Sequence, residues 1–261
     1  MRIIKATVRA DRYIMVGNVA PSTDEAFAKA AGWEFIVWTD IRNPRDDATP
    51  EPHELEGIIY ALRNTDSSFW DIGAYHGMYA LRLAKAGKFV VAFEPNLDSF
   101  TTLRKNITAN NMEAHVTAER LAVGSVSGMV NISDEGSMSK LGGPGLGVRE
   151  VEYSTVDELV SQGLRKPDFM KIDTEQHEPE VLKGAVKTLL NVKPKLLIEC
   201  HRIPLGPSGS MLRYLRLNQP VVEVMLTKLG YSFRHLSRNE DKIFAWPDEN
   251  ISPDIAEVPP L

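Results

Sequence analysis

Six side chains in this 261-residue sequence stand where an α/β protein does chemistry. Asp173-Thr-Glu175-Gln-His177 follows the apolar run at 169–172, and His201 closes another, Lys195 to Cys200. Carboxylates beside a histidine near neutral pKa can accept, hold and return a proton, so these residues are expected to form an acid/base site. Earlier in the chain, Asp71-Ile-Gly73-Ala74-Tyr75-His-Gly77 places two glycines between an apolar run and a helix-forming one, and Glu94-Pro95 ends the next apolar run. A helix N-terminus offers free backbone N–H groups to a ligand. An acid at the tip of the second strand accepts both hydrogen bonds of a ribose diol. The dinucleotide fingerprint G-x-G-x-x-G has a middle glycine for the pyrophosphate, and here Tyr75 occupies that place. NAD and FAD are thereby disfavoured, and a nucleoside without a pyrophosphate is favoured, S-adenosylmethionine being the commonest. Asp71, Gly73, Ala74, Tyr75, Gly77, Glu94, Pro95 and Asp173 are the expected cofactor contacts. Leu121 and Ala122 join them at the end of a third strand. The competing reading is a tight turn that only packs helix on strand.

The elements that position these residues alternate. Strands are predicted at 68–72, 89–93, 114–123, 167–173 and 195–201, and the continuous apolar run at 89–93 suits a parallel strand buried on both faces. Helices are predicted at 78–86, from Asn96 to about Asn110, at 156–162 and at 179–191. The last has Val181, Leu182, Ala185, Val186, Leu189 and Leu190 at a 3.6 period. A strand is expected at 148–155 and a β-like stretch from Val130. The glycine-rich segment 141–147 lacks the lysine and Ser/Thr of a phosphate loop and reads as a turn or lid. After a loop at 203–210 come helices at 211–217 and 221–229, then a hairpin of 231–236 with 242–246. Ahead of the first core strand lie strand candidates within 3–16 and 33–39, a helix at 22–32, a polar linker at 43–52, and a helix with Leu55, Ile58, Ile59 and Leu62 on one face. This pattern predicts a mostly parallel, doubly wound Rossmann-like sheet closed by an antiparallel hairpin. The expected boundaries are an N-terminal α+β extension at 1–48 that could cap a substrate, a cofactor-binding domain at 49–247 and a tail at 248–261.

Composition narrows the function classes. A net charge of −5 gives no footprint for nucleic acid or anionic membrane. One cysteine, Cys200, allows no disulfide within the chain and fits a reducing cytoplasm. With no paired histidines besides, a zinc site is not expected, and no metal is assigned. No run reaches the ~18 apolar residues of a membrane helix.

Five ordered segments carry a family resemblance. They are Asp71 to Gly77; Phe93-Glu-Pro-Asn96 with Phe100, Leu103, Asn106, Asn110 and Asn111; Ala122-Val-Gly124 with Gly128; Lys171-Ile-Asp-Thr-Glu175 through Glu178 to Glu180–Ala185; and Leu197-Ile-Glu-Cys-His201. In these the chain resembles the FkbM-type S-adenosylmethionine-dependent methyltransferases. The departures are Gln176, where that family usually has glycine, and His177, where a small residue is usual. The resemblance implies a class I methyltransferase fold with a seven-stranded sheet, and O-methylation of a hydroxyl on a sugar or other small molecule. A hydroxyl acceptor must lose its proton, and His201, at a strand end and with an ordinary pKa near neutrality, is the expected general base. Asp173 and Glu175 would then bind acceptor hydroxyls, share the base role or hold a divalent cation, with His177 on the acceptor side. The alternatives are an NAD-type oxidoreductase and a cofactor-binding scaffold without activity. Homo-oligomer formation stays open.

Overall fold

The computed structural model describes residues 67–132, 149–201, 218–236 and 242–253, with strand backbones at 5–9, 12–17, 33–37, 203–205 and 213–215. The chain divides into two units, residues 1–120 and 121–261. In the first, β1 (Lys5–Arg9), β2 (Arg12–Gly17) and β3 (Trp33–Val37) form an antiparallel sheet. The core follows as β4 (Ser68–Ile72), α1 (Met78–Lys85), β5 (Phe89–Phe93), α2 (Leu97–Ala109) and β6 (Val116–Glu119). Phe69, Trp70, Ile72 and all of Val90 to Phe93 are at most 5% exposed. Burial on both faces explains why these strands read as unbroken apolar runs. The parallel register pairs Ile72 with Phe93 and Phe93 with Glu119. Three strands therefore end level, and whatever follows each of them meets at one edge.

The second unit holds β7 (Leu121–Val123), β8 (Gly128–Ile132) and β9 (Arg149–Ser154) in a small sheet ordered β7-β9-β8. Then come α3 (Val156–Ser161), β10 (Phe169–Ile172), α4 (Glu178–Lys183), α5 (Val186–Asn191), β11 (Lys195–Glu199), β12 (Ile203–Leu205), β13 (Arg213–Leu215), α6 (Asn218–Lys228), β14 (Tyr231–His235) and β15 (Lys242–Pro247). β10 and β11 are parallel, while β15 runs antiparallel to both β11 and β14, as the closing hairpin predicts. Strands β4, β5, β6, β10, β11, β14 and β15 make the expected seven-stranded, mostly parallel sheet of the class I methyltransferase fold. Among the described residues, no helix is long and apolar enough to cross a membrane.

Three expectations are corrected. The strand read over 114–123 is two strands in different sheets. Leu121, Ala122 and Val123 are all buried, and Ala122 packs with Ile132, Val151 and Tyr153. Pairing with β9 takes this segment out of the main sheet. The helix read over 179–191 breaks at Gly184-Ala185 into α4 and α5. Asp157 supplies the reason: its carboxylate accepts the N–H groups of Lys187 and Thr188 at 2.9 and 2.7 Å, capping α5 as a separate helix. The segment 211–217 is not helical at its centre, because Arg213–Leu215 pairs with Ile203–Leu205 inside the expected loop. Ile203, Tyr214 and Leu215 favour a strand, and Pro204, lacking an N–H, is tolerated in a two-stranded ribbon. The helices expected at 22–32 and around 55–62, the linker at 43–52 and the glycine-rich segment 141–147 lie outside the described residues.

Gly184 marks a close approach. A Cβ there would sit 1.8 Å from the Gly124 carbonyl oxygen, a backbone atom that cannot rotate aside. Gly184→Ala is expected to cost about 3 kcal/mol through overpacking, read as a lower denaturation midpoint at unchanged slope.

Candidate active site

In the first unit, the level strand ends shape the glycine turn. The N–H groups of Gly73 and Ala74 both donate to the Phe93 carbonyl at 3.0 Å. Gly73, Tyr75 and Gly77 all have left-handed φ, at 83°, 50° and 88°. A Cβ on Gly77 would lie 2.5 Å from Leu103 Cδ1, so the turn rests directly on α2. Asn106, fully buried, donates from Nδ2 to the His76 carbonyl at 2.7 Å. The spacing of Leu103 and Asn106 in the sequence thus has a local purpose: both side chains brace the turn.

Glu94 follows Phe93 at the tip of β5 and is 7% exposed. Its Oε2 accepts the Tyr75 N–H at 2.8 Å and its Oε1 the Asn96 N–H at 2.9 Å. Asn96 in turn caps α2, its Oδ1 accepting from Asp98 and Ser99 at 3.0 Å. Each oxygen thus holds a backbone donor, which fixes the direction of the carboxylate. The carboxylate is thereby aimed, and an acid at a strand tip has the chemistry to accept from a ribose diol. Tyr75 is half-buried and stacks on His76 at 3.6 Å between ring centroids. A side chain stands where a pyrophosphate-binding turn needs a bare backbone. Asp71 lies within β4, buried, and Pro95 is half-buried beside Glu94.

The second unit assembles the other group. β10 and β11 are paired up to Ile172 and Ile198, so Asp173 and His201 emerge from adjacent strands. The His201 Nε2 lies 3.6 Å from Asp173 Oδ1 and 3.4 Å from Glu175 Oε1, and its Nδ1 lies 3.5 Å from Glu178 Oε1. The buried Lys171 ammonium contacts Asp173 Oδ2 at 2.6 Å, and Lys242 approaches Glu199 at 3.7 Å. Burial by itself lowers the His201 pKa, but the contact with Glu178 and the charges of Asp173, Glu175 and Glu199 outweigh it and raise it to about 9. The near-neutral value expected from the sequence is not what this setting produces. Burial, with the charges of Asp173, Glu178 and Glu199 adding and that of His201 opposing, pushes the Glu175 carboxyl up to about 7. For Asp173 burial acts upward too, but Lys171 and His201 prevail and hold it low. Donor atoms of Asp173, Glu175 and His201 converge within 4.8 Å, close enough to share one ion. Cations of the chain already stand there, His201 and Lys171 facing these carboxylates and Lys242 facing Glu199.

The sequence from Asp71 to Tyr231, which takes in both groups, lies inside the match to the methyltransferase FkbM domain over residues 71–233. This chain belongs to the FkbM methyltransferase family. It is 35% identical over 218 residues to the hexuronic acid methyltransferase AglP of Haloferax volcanii, with 77% of this chain and 84% of that protein covered. An O-methyltransferase from Bacillus cereus, crystallised in complex with SAH, shares the fold at 15% identity and a TM-score of 0.51, covering 86% of this chain and 89% of its own. Methyltransferase FkbM from Methylobacillus flagellatus KT is 18% identical at a TM-score of 0.47. That match covers 70% of this chain, which spans 44% of the other's length.

In this FkbM methyltransferase both departures from the family pattern have structural consequences. Gln176 has φ 84°, next to Glu175 at φ 50°, so a residue with a Cβ occupies a left-handed position that suits glycine. Its main-chain N–H and C=O are bonded to Glu178 and Asn218, and those bonds do not depend on its side chain. Gln176→Gly is therefore expected to stabilise the fold by about 0.5–1 kcal/mol, after subtracting the backbone freedom glycine adds to the unfolded chain. A rise in melting temperature checks it. His177 Nε2 lies 2.6 Å from the Tyr153 hydroxyl, which also accepts the Ser125 N–H at 3.1 Å. The phenol donates to an unprotonated Nε2, consistent with burial lowering the His177 pKa. His177 is thus engaged with Tyr153, whereas Asp173, Glu175 and His201 come together. Leu121 and Ala122 are buried in β7, past the tip of β6. Sequence reasoning left Tyr153 and Asn218 without a role and quoted Glu178 and Lys171 only as motif letters. For Lys171 the available signal was a cation inside the apolar run 169–172; Glu178, in a polar stretch, had none.

Proposed function

We propose that this FkbM methyltransferase takes its methyl group from S-adenosylmethionine and places it on an oxygen of a sugar or sugar acid in the cytoplasm. The observation that carries the acid–base half is the placing of Glu175 Oε1 3.4 Å from His201 Nε2, with Asp173 and Glu178 beside the same ring. This setting pushes the Glu175 carboxyl up to about 7 and the His201 imidazole up to about 9. Near pH 7.5 Glu175 is largely ionised and His201 is a cation. A general base works best with a pKa near the operating pH, and Glu175 meets that condition while the protonated imidazole does not. The hydroxyl proton of the acceptor passes to Glu175, whose negative charge is supported by His201 Nε2 at 3.4 Å. Asp173, held ionised by Lys171, accepts hydrogen bonds from neighbouring acceptor hydroxyls. Glu94 holds the ribose, and the turn from Gly73 to Gly77 lets the backbone approach the amino-acid end. Bound S-adenosylmethionine supplies an electrophilic methyl carbon, so alignment of the acceptor oxygen lowers most of the remaining barrier. The name of the 35% identical relative supports a hexuronic acid as the first acceptor to try. An oxidoreductase reading is disfavoured by Tyr75 at the place of the middle glycine.

Calorimetric titration with S-adenosylmethionine, its demethylated product and NAD tests the reading. Dissociation constants of about micromolar order for the first two, with no heat from NAD, are expected. Binding of NAD alone would refute the proposal. Methyl transfer from labelled cofactor to a hexuronic acid glycoside then tests the acceptor class.

A further inference from the structure

The proton transfer proposed above leaves Glu178 of the second unit unused, although it is fully buried. Glu178 opens α4 with no exposed surface. Its Oε1 accepts the Gln176 N–H at 3.0 Å and faces His201 Nδ1 at 3.5 Å. Its Oε2 accepts from Asn218 Nδ2 at 3.3 Å, and the same Nδ2 donates to the Gln176 carbonyl at 2.7 Å. One carboxylate therefore touches the left-handed loop that carries Glu175, the first residue of α6, and the histidine beyond β11. A buried carboxylate is costly without a charged partner. Three backbone or amide contacts brace a loop, but only an opposite charge accounts for an acid in this place.

We propose that Glu178 is a positioning residue. It grips the Nδ1 edge of His201 and the Glu175 loop together, so that the imidazole stays protonated with its Nε2 edge turned to Asp173 and Glu175. The inference rests on the acid–base reading given above. His201 Nε2 sits between two carboxylate oxygens at 3.4 and 3.6 Å, and Nδ1 faces the Glu178 carboxylate at 3.5 Å, so the ring is placed by charges on both of its edges rather than by one short hydrogen bond. The Nδ1 contact, no shorter than the others, is distinguished by its edge: it sets a fully buried carboxylate opposite Asp173 and Glu175. The charged groups around the ring are Asp173 and Glu175 after β10, Glu178 on α4 and Glu199 on β11. Lys171 faces Asp173, and Lys242 faces Glu199. Glu178 alone faces the Nδ1 edge among the ion pairs of the described residues. A neutral group in its place leaves the cation with support on one side only.

Nitrogen-detected NMR of the cofactor-free, histidine-labelled protein at pH 7.5 provides the test, with the His201 signals assigned by their loss in His201→Gln. The wild type is expected to show both ring nitrogens of His201 protonated. In Glu178→Gln, whose amide oxygen can keep the Gln176 bond, the ring is expected to titrate at least about one unit lower, a tenfold change in its proton equilibrium. Turnover should fall by about tenfold or more, with the KM for S-adenosylmethionine within about twofold. Asn218→Ala, which loosens the same loop without removing charge, should leave the His201 ring protonated. An unchanged ring signal and unchanged turnover in Glu178→Gln would reduce Glu178 to a helix brace and overturn the proposal. Should that variant not fold, the wild type and Glu178→Asp decide. Shortening the side chain withdraws the carboxylate from Nδ1, so a ring that titrates lower in Glu178→Asp than in the wild type upholds the proposal, and identical titration or a neutral wild-type ring overturns it. The ring signal needs neither cofactor nor acceptor. Failure of S-adenosylmethionine to bind would thus count against the proposed function without altering this reading.

Discussion

Glu175→Gln lowers turnover by about a hundredfold or more, the usual weight of a positioned general base, while S-adenosylmethionine affinity stays within about twofold. The amide keeps the size of the side chain and cannot take a proton from the acceptor. The pH profile provides the sharper discriminator. In the wild type, turnover rises as pH passes about 7, because Glu175 must lose its proton to act. It falls again as pH passes about 9, because His201 then loses the proton that supports the Glu175 charge. A bell between those limits is expected, and Glu175→Gln should lack its acidic limb. The opposite assignment has a distinct outcome. Were His201 the base, activity would require its neutral form and would climb through pH 9. A Glu175→Gln variant that keeps both rate and acidic limb would return the base role to His201 or His177. Rates measured from about pH 5.5 to about pH 10 at saturating cofactor separate these cases.

Glu94→Ala weakens S-adenosylmethionine binding by about a hundredfold, since two hydrogen bonds to a charged acceptor are lost at roughly 1.5 kcal/mol each. The sequence alone suggests that the fold would survive unharmed. The structure adds a cost: Tyr75 and Asn96 N–H groups both rely on this carboxylate. Stability should drop by about 1–3 kcal/mol, and binding has to be compared below the shifted melting temperature. Glu94→Gln separates the two effects. It keeps one accepting oxygen, but its NH2 must face either a backbone donor or the diol, so an intermediate affinity is expected. Calorimetry and chemical denaturation on the same preparations read both quantities. Unchanged affinity in Glu94→Ala would remove this residue from the ribose role.

Much of the first group was legible because its logic is local. The glycines at 73 and 77, the acid at 94 and the cap at Asn96 lie within 24 positions, and each acts on neighbours along one strand–turn–helix path. Even Leu103 and Asn106 follow from the spacing of one helix over one turn. The second group was legible in its membership, not in its electrostatics. Asp173, Glu175 and His201 were all marked as ends of strands or their extensions. Which of them holds the proton depends on Glu178, 23 residues from His201, and on Glu199, Lys171 and Lys242, brought near by β10, β11 and β15.

Residue types and their order determined the family and the parallel sheet with its closing hairpin. Turn chemistry and strand periodicity are short-range and survive without knowledge of the fold. Only the tertiary structure decided that one periodic helix is two and that residues 213–215 form a strand. It alone made Gln176 strained, and it gave His201 its charge. Those outcomes come from packing and electric fields between distant segments, which no spacing along the chain records.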